Sequence, residues 1–134
     1  MAAAAPVRVG IDLVAVESVR ESLRTHAARY LHRIYTEGEI ADCRAAEGMR
    51  AEGLAARFAA KEAALKVLRL RDEGVSWRAI EVVRDPGGWT SLRLSGRAAE
   101  LAREARFAGL AVSLTHEGPF ASAVVVATLE PGAE

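Results

Sequence analysis

A carboxylate lies in the middle of an apolar segment near the start of the chain. Residues 7–16 are β-branched and almost continuously hydrophobic, which predicts a buried strand, and Asp12 interrupts them. Aspartate is a poor strand former, and a buried carboxylate needs a hydrogen-bond donor, a cation or a metal ion. Asp12 is therefore a candidate binding residue. The alternative is that Asp12 ends the strand and caps the helix that follows.

A second group of charges interrupts the strongest helical segment, residues 54–70. On a helix that advances about 100° per residue, Lys61 falls inside the apolar arc and Glu62 falls at its edge, where a solvated charge is not expected. Arg57 and Lys61 are four residues apart, and this spacing of like charges destabilises an isolated helix by about 0.2–0.5 kcal/mol. An anion bound between them would reverse that effect. The alternative is an ordinary Glu62–Lys66 pair, with Lys61 extending to solvent.

The third candidate is His116, which follows a predicted strand at the start of a tight connection. It is either a structural histidine or a hydrogen-bonding or acid–base group at the end of a sheet. The other histidines, His26 and His32, lie among arginines, and no spacing joins them to a metal site.

The available donors favour a hard cation. The one cysteine, Cys43, excludes an internal disulfide and a multi-cysteine zinc site, and we interpret it as a small side chain in or beside a helix. Carboxylate oxygens suit Mg²⁺, which completes its coordination with water and substrate phosphate. Arg57, Lys61 and Lys66 are the cations available to that phosphate. The residues therefore predict a magnesium–phosphate site and leave the reaction open.

The segments around these residues predict an α+β fold. Antiparallel hairpins beside helices indicate a small sheet of short strands packed on a long central helix and shorter helices, rather than alternating βαβ units. Two local signals are specific: the capping-box spacing of Thr36-Glu-Gly-Glu39 and the turn sequence Asp85-Pro-Gly-Gly88. Besides the segments above, helices are expected over 17–35 and 95–106, and strands over 77–83, 90–94, 110–115 and 121–129.

Length and composition limit the class of protein. A chain of 134 residues predicts a single domain over residues 1–134, with its core at about 7–128, and a 51% hydrophobic content is too high for a disordered chain. Eighteen basic and eighteen acidic residues balance, which argues against whole-chain binding to nucleic acid. No secretory signal or membrane span is recognisable. A cytoplasmic protein without nucleic-acid or membrane partners is expected.

Three segments together resemble the signatures of one enzyme family. They are Gly10-Ile-Asp-Leu-Val14, then Arg57-Phe-Ala-Ala-Lys-Glu-Ala63 with Lys66, then Ser113-Leu-Thr-His116. In this order they are similar to the signatures of the holo-acyl-carrier-protein synthases, the small single-domain type of 4′-phosphopantetheinyl transferase. The resemblance extends from about residue 7 to residue 128, with further similarity over 33–39, 77–82 and 94–98. It implies the 4′-phosphopantetheinyl transferase fold.

The resemblance implies a reaction and roles for the site residues. The reaction is transfer of 4′-phosphopantetheine from the co-substrate coenzyme A to a serine of an apo-acyl-carrier protein, with release of adenosine 3′,5′-bisphosphate. Asp12 and Glu62 would bind Mg²⁺, and Glu62 and Lys66 would be catalytic. The serine proton would go to a metal-bound water or to Glu62, and whether Lys61 contacts phosphate or braces Glu62 is also open. The residues expected to bind coenzyme A are Arg57, Lys61, Lys66 and His116.

The resemblance also implies protein partners. An acidic carrier protein, serving fatty-acid or polyketide biosynthesis, would need a basic docking face, and the expected docking residues are Arg20, Arg24 and Arg29; the alternative is a solvated arginine-rich surface. Members of this family form homotrimers with active sites between subunits, which would let the Asp12–Glu62 site meet the partner subunit's His116.

Two positions depart from the family pattern. Ser18 stands where the family commonly has an arginine that helps to hold the carrier, and Arg20 follows two residues later. Gly87-Gly-Trp89 stands in place of a Gly-x-Pro turn, so the contacts of this loop with the nucleotide are expected to differ. The competing interpretations are a catalytically silent homologue that binds carrier or coenzyme A as a scaffold, and a different Mg²⁺-dependent phosphohydrolase. The presence of both Asp12 and Glu62 favours an active transferase.

Overall fold

A computed structural model describes residues 5–71 and 74–134 of the chain. Its elements alternate irregularly between strands and helices. In chain order they are β1 (Val7–Ala15), α1 (Val16–His26), α2 (Ala28–Ile34), α3 (Glu37–Cys43), β2 (Arg44–Ala45), β3 (Gly48–Met49), α4 (Ala51–Leu68), a 3-10 turn (Trp77–Ala79), β4 (Ile80–Arg84), β5 (Thr90–Leu94), α5 (Gly96–Glu104), β6 (Phe107–Glu117) and β7 (Phe120–Leu129).

The main sheet is antiparallel and has the strand order β1–β7–β6. The central strand, β7, pairs along its whole length with β1 and with β6, so Asp12 lies opposite Ala123, and His116 lies opposite Ala121. Successive residues of a strand point to opposite faces of a sheet. Asp12 therefore shares its face with Gly10 and Val14, and this inner face is the one that the long helix covers.

The helix α4 lies across the inner face against β1, β7 and β6. Seven of its 18 residues are alanine, and small side chains let a helix approach a sheet closely. The closest approach is at Gly10, where an added Cβ would lie 2.2 Å from the carbonyl oxygen of Ala63. Only glycine permits this contact of backbone with backbone. It brings Asp12, two residues further along β1, towards Glu62, the residue that precedes Ala63.

The remaining elements enclose α4. The helices α1, α2 and α3 pack around its N-terminal half, and their buried side chains join those of Leu54 and Ala55 in one apolar cluster. A second cluster, around Val67 and Ile80, joins the C-terminal half of α4 to α5, β4 and the main sheet. The helix α4 is apolar around most of its circumference, as expected for a helix that is enclosed on most sides.

The structure confirms the α+β class and the antiparallel sheet on a long central helix. It also confirms the capping box, in which the Thr36 side chain accepts a hydrogen bond from the backbone of Glu39 while the Glu39 side chain accepts one from the backbone of Thr36. In the described part of the chain, no helix combines the length and the apolar content needed to cross a membrane.

Several elements differ from the sequence prediction. The single helix expected over 17–35 is two helices, separated at Ala27 (φ 45°), and this break lets Tyr30 and Ile34 pack into the same cluster as Val19. Trp77–Ala79 is a 3-10 turn rather than the start of a strand. The strands β6 and β7 have 11 and 10 residues, because a long hairpin pairs them continuously, so the sheet is not one of short strands only.

We expect the substitution Gly10→Ala to destabilise the protein, because the added methyl group would collide with the carbonyl group of Ala63 and force β1 away from α4. Overpacking of this kind typically costs about 1–3 kcal/mol in the free energy of unfolding. Urea unfolding followed by circular dichroism measures the loss. The matched control is Gly74→Ala, whose added Cβ would meet nothing within 4 Å. Equal stability of the two variants would contradict the close approach of β1 to α4.

Candidate active site

Two carboxylates and one lysine meet where β1 crosses α4. Asp12 is 22% exposed, and its carboxylate lies 3.5 Å from the ammonium group of Lys66. That ammonium group also donates a hydrogen bond of 2.6 Å to the carbonyl oxygen of Ile11. Glu62 is partly buried and lies one helical turn before Lys66. We call Asp12, Glu62 and Lys66 the carboxylate site.

The electrostatics of the carboxylate site favour a bound cation. Burial raises the pKa of Glu62, and the negative charge on Asp12 raises this pKa further, while Lys66 opposes the shift. The ionised pair therefore carries negative charge that one lysine does not fully compensate. Hard carboxylate oxygens of this kind fit Mg²⁺, which proteins commonly bind through one or two carboxylates together with substrate phosphate. The described residues contain no group of three or more His, Cys, Asp or Glu placed to hold a metal ion.

A groove lined by arginines lies elsewhere on α4. Arg57, Arg84 and His116 line it together with Arg50, Gly88 and Thr90, and its volume is about 320 Å³. We call it the arginine groove. Arg57 is only 7% exposed, pairs with Asp42 at 3.5 Å, and leaves its Nε without a hydrogen-bond partner in the described residues. A buried guanidinium with an unused donor favours an anionic ligand.

The carboxylate site and the arginine groove lie on different sides of α4. Arg57 and Glu62 are five residues apart, so their side chains leave the helix about 140° apart. His116 and Asp12 share the inner sheet face, but β7 lies between their strands. Neighbouring strands are about 4.8 Å apart, which places β1 and β6 roughly 10 Å from each other. One copy of the chain therefore brings Asp12 together with Glu62 and Lys66, and Arg57 together with His116, but it does not join the two groups.

The structure buries Lys61, one of the residues expected to bind coenzyme A, in an ion pair within the protein. Lys61 is fully buried, and its ammonium group lies 2.7 Å from the carboxylate of Glu39 and donates hydrogen bonds to the carbonyl oxygens of Trp77 and Ile80. These three acceptors occupy all three N–H donors of the ammonium group, so none is left for a ligand. Burial lowers the pKa of Lys61, and the neighbouring Glu39 carboxylate opposes that shift. Lys61 therefore joins α4 to α3 and β4 as a structural residue.

The arginines of the predicted docking face differ in their surroundings. Arg20 pairs with Glu17 and Glu52, and Arg24 pairs with Glu17, all at exposed positions. Exposed ion pairs of this kind contribute little to the free energy of folding and rearrange easily, so both arginines stay available to a partner. Arg29 instead lies at the rim of a second groove, of about 400 Å³. We call it the apolar groove, and its walls are formed by Val14, Val19, Tyr30, Ile34, Phe58 and Trp77, with Ser18, Ser22, His26, Arg29 and Arg33 also lining it.

Sequence reasoning missed two features of the residues around the candidate site. One is the role of Glu39 beyond the capping box, where it accepts hydrogen bonds from Lys61 and from the backbone of Val82. The other is the arrival of Arg84 in the arginine groove. The signal for Arg84 in the sequence is its position directly before the Asp85 turn, but only the folded hairpin shows which groove Arg84 lines.

Comparisons with known proteins show the family to which the chain belongs. The 4′-phosphopantetheinyl transferase superfamily matches residues 8–121. The chain is 47% identical over 127 residues to a holo-[acyl-carrier-protein] synthase of Methylobacterium radiotolerans, covering 90% of this chain and 91% of the relative. It is 42% identical over 132 residues to a holo-[acyl-carrier-protein] synthase of Chloroflexus aggregans, covering 90% and 94%.

Solved structures show the same fold. The ACPS–CoA complex of Chronobacterium ammoniagenes superposes with a TM-score of 0.81 at 29% identity, over 93% of this chain and 98% of that one. The acyl carrier protein synthase of Mycobacterium tuberculosis superposes with a TM-score of 0.71 at 36% identity, over 91% and 96%. The chain therefore belongs to the 4′-phosphopantetheinyl transferase superfamily, and it is a phosphopantetheinyl transferase of the holo-[acyl-carrier-protein] synthase type.

We expect Glu62→Gln to raise the thermal midpoint of the metal-free protein at neutral pH, because it removes a carboxylate whose ionised form burial and Asp12 disfavour. Since the pKa of Glu62 is raised in the folded state, its ionisation costs stability above that pKa, and the cost disappears as the pH falls and the carboxyl group takes up a proton. The advantage of the variant should therefore shrink at acidic pH.

Differential scanning calorimetry across this pH range measures the effect. The matched control is Glu21→Gln, which removes the same charge from an exposed position of α1 and should give no comparable gain. In excess Mg²⁺ the wild type should gain stability while Glu62→Gln does not. A metal-free variant less stable than the wild type at neutral pH would contradict the excess negative charge at this site.

Proposed function

We propose that this enzyme transfers 4′-phosphopantetheine from coenzyme A to a serine of an apo-acyl-carrier protein, in a Mg²⁺-dependent reaction that releases adenosine 3′,5′-bisphosphate. The observation that carries the proposal is the carboxylate site, where two carboxylates and a lysine meet at a contact that only Gly10 permits. The names of the relatives and the coenzyme A in the Chronobacterium ammoniagenes complex support the choice of substrates. A cytoplasmic location stays a prediction.

The positions of the residues support a role for each of them. Asp12 and Glu62 would hold Mg²⁺, which, when bound, would stabilise the charge on the diphosphate of coenzyme A. Lys66 is 53% exposed and held by an ionic contact and a carbonyl group, so it can turn towards an oxygen of the transferred phosphate. The serine oxygen attacks the phosphorus next to the pantetheine arm and gives up its proton to a water molecule or to Glu62. The bond from that phosphorus to the bridging oxygen breaks, and adenosine 3′,5′-bisphosphate leaves. Arg57 and His116 would bind the nucleotide end.

The carrier protein would dock beside the apolar groove. Its walls could receive an apolar side chain of the carrier, while Arg29 and Arg33 at the rim would attract its acidic residues. Arg20 and Arg24 extend the same basic surface along α1 once their exposed pairs open. Ser18, which stands where the family commonly has an arginine, also lines this groove, so the grip on the carrier would depend more on Arg29 and Arg33.

We propose that the enzyme acts as a homotrimer with its active sites between subunits. The strand β1 is an edge strand of the main sheet, and four apolar side chains on its outer face are each more than half exposed: Val7, Val9, Ile11 and Leu13. A contiguous apolar strip of this kind marks an interaction surface. A second copy would also resolve the separation within one chain, because the carboxylate site of one copy could meet the arginine groove of another. The number three rests on the family resemblance.

The direct test presents the purified enzyme with coenzyme A, Mg²⁺ and a panel of apo-acyl-carrier proteins, followed by mass spectrometry of the carrier. We expect a mass gain of one phosphopantetheine group on a serine, and a loss of turnover of at least about 100-fold in Glu62→Gln, because that variant lacks a carboxylate of the metal site. No gain on any carrier would favour the silent scaffold, and release of free phosphate without carrier would favour a phosphohydrolase. Near-normal turnover of a folded Glu62→Gln variant would refute the metal-ligand role.

A site shared between subunits predicts complementation. Asp12→Asn removes a metal ligand from one half of the site, and His116→Ala removes a nucleotide contact from the other half. Each variant alone should be nearly inactive, whereas subunits mixed by co-expression should regain activity, because some interfaces combine an intact Asp12 with an intact His116. The measurement is transfer activity of the purified mixed assembly against each variant alone. Sites contained within one chain would give no gain on mixing.

A further inference from the structure

The buried ion pair of Lys61 and Glu39 lies beside the carboxylate site along α4, and the proposed reaction does not use it. Both side chains are fully buried, and the ammonium group lies 2.7 Å from the carboxylate. A buried ion pair adds little net stability, because lost hydration offsets the attraction between the charges, and apolar residues of similar volume often stabilise a core equally well. The best-attested use of buried polar groups is to select one packing arrangement over its alternatives.

The part of α4 that contains Lys61 has few other side chains that would select a rotation about the helix axis. Four of the six residues 59–64 are alanine, and the other two are Lys61 and Glu62. A helix that is apolar on all sides has no single stripe that decides which side faces the core. Of the two long side chains, only Lys61 is fully buried. The rotation of this part of α4 therefore depends on where Lys61 is held.

Three elements outside α4 hold the Lys61 ammonium group in one place. Glu39 belongs to α3, and its two carboxylate oxygens accept hydrogen bonds of 2.9 Å from the backbone N–H groups of Thr36 and Val82. Two carbonyl groups, one in the 3-10 turn and one in β4, accept further hydrogen bonds from the ammonium group. Because all three acceptors are either backbone groups or fixed by them, the ammonium group has one position in the core.

The Glu62 carboxylate has no comparable support of its own. Burial and the charges of Asp12 and Lys66 act on it, but within residues 5–71 and 74–134 no hydrogen bond holds it. Consecutive residues of a helix leave the axis about 100° apart. The rotation that places Lys61 in its buried position therefore also directs Glu62 towards Asp12.

We infer that the buried Lys61–Glu39 pair sets the rotation of α4 and thereby aims Glu62 at the other carboxylate of the site. Lys61 and Glu39 are positioning residues, which place both carboxylates within reach of one divalent cation. The contact at Gly10 sets the distance between β1 and α4, and the buried pair sets the direction. This inference rests on the proposed function for the identity of the cation and adds to it the residues that orient a metal ligand.

The test removes the pair without leaving a buried charge. Either single variant, Glu39→Gln or Lys61→Met, leaves its partner unpaired in the core, so the double variant should have a higher thermal midpoint than both. Glutamine also fits the capping box at this position. Electron paramagnetic resonance during a Mn²⁺ titration should show binding about 10- to 100-fold weaker in the folded double variant than in the wild type, because residues that orient a metal ligand affect affinity by about this factor.

The matched control is Tyr35→Phe, which removes a different buried polar contact with α4. The Tyr35 hydroxyl group donates a hydrogen bond of 3.0 Å to the carbonyl oxygen of Leu54, and the substitution leaves the Lys61–Glu39 pair in place. The control should have a lower thermal midpoint than the wild type and the same Mn²⁺ affinity. Unchanged Mn²⁺ affinity in the double variant, or an equal loss in Tyr35→Phe, would overturn the inference.

Crystal structures of the metal-free wild type and double variant test the geometry without any cation. In the double variant α4 should be rotated about its axis, with the carboxylates of Asp12 and Glu62 further apart. The same rotation of α4 in both crystal structures would overturn the inference.

The fate of the proposed function is read separately. Transfer of phosphopantetheine and Mn²⁺ binding by the wild type, together with unaltered Mn²⁺ affinity in the double variant, would refute the positioning role and leave the proposed function standing. A wild type that binds no Mn²⁺ would refute the metal role in the proposed function, whereas a rotated α4 in the double variant would still support the positioning role.

Discussion

The contact between the backbone of β1 and the backbone of α4 brings together the two carboxylates of the candidate active site. Because Gly10 has no side chain, the strand lies directly against the carbonyl group of Ala63, and the carboxylates on either side of that contact, Asp12 and Glu62, come close enough for one to raise the pKa of the other. The alanines of α4 extend the close approach along the helix. The packing thus holds together two like charges that would otherwise separate, and a divalent cation would relieve their repulsion.

The helix α4 directs its candidate site residues to different sides of the protein. Glu62 and Lys66 leave α4 towards β1, Arg57 leaves it towards the arginine groove, and Lys61 points into the core between α3 and β4. In the proposed reaction, a coenzyme A molecule would place its diphosphate near the first group and its nucleotide near the second. Within one copy the central strand and the helix lie between these groups. If the exposed apolar strip on β1 joins two copies, the carboxylate site of one copy could meet the arginine groove of the other.

Much of this architecture could be predicted from the sequence. The α+β class, the capping box at Thr36 and the unusual positions of Asp12 and Glu62 all follow from local patterns, because each reflects residues close together in the chain. The role of Lys61 could not be predicted, since its partner Glu39 is 22 residues away and only tertiary packing brings the two into one buried pair. The break at Ala27 carries no glycine or proline signal, and the arrival of Arg84 in a groove with His116 depends on how a hairpin packs on the sheet.

The central claim is that Asp12 and Glu62 bind one divalent ion jointly. Mn²⁺ is a paramagnetic substitute for Mg²⁺, and electron paramagnetic resonance of the free ion during a titration counts the ions bound per chain. We predict one tight Mn²⁺ per chain in the wild type, displaced by Mg²⁺, and loss of that ion in Asp12→Asn and in Glu62→Gln alike. Tight binding that survives in either single variant would contradict a shared site.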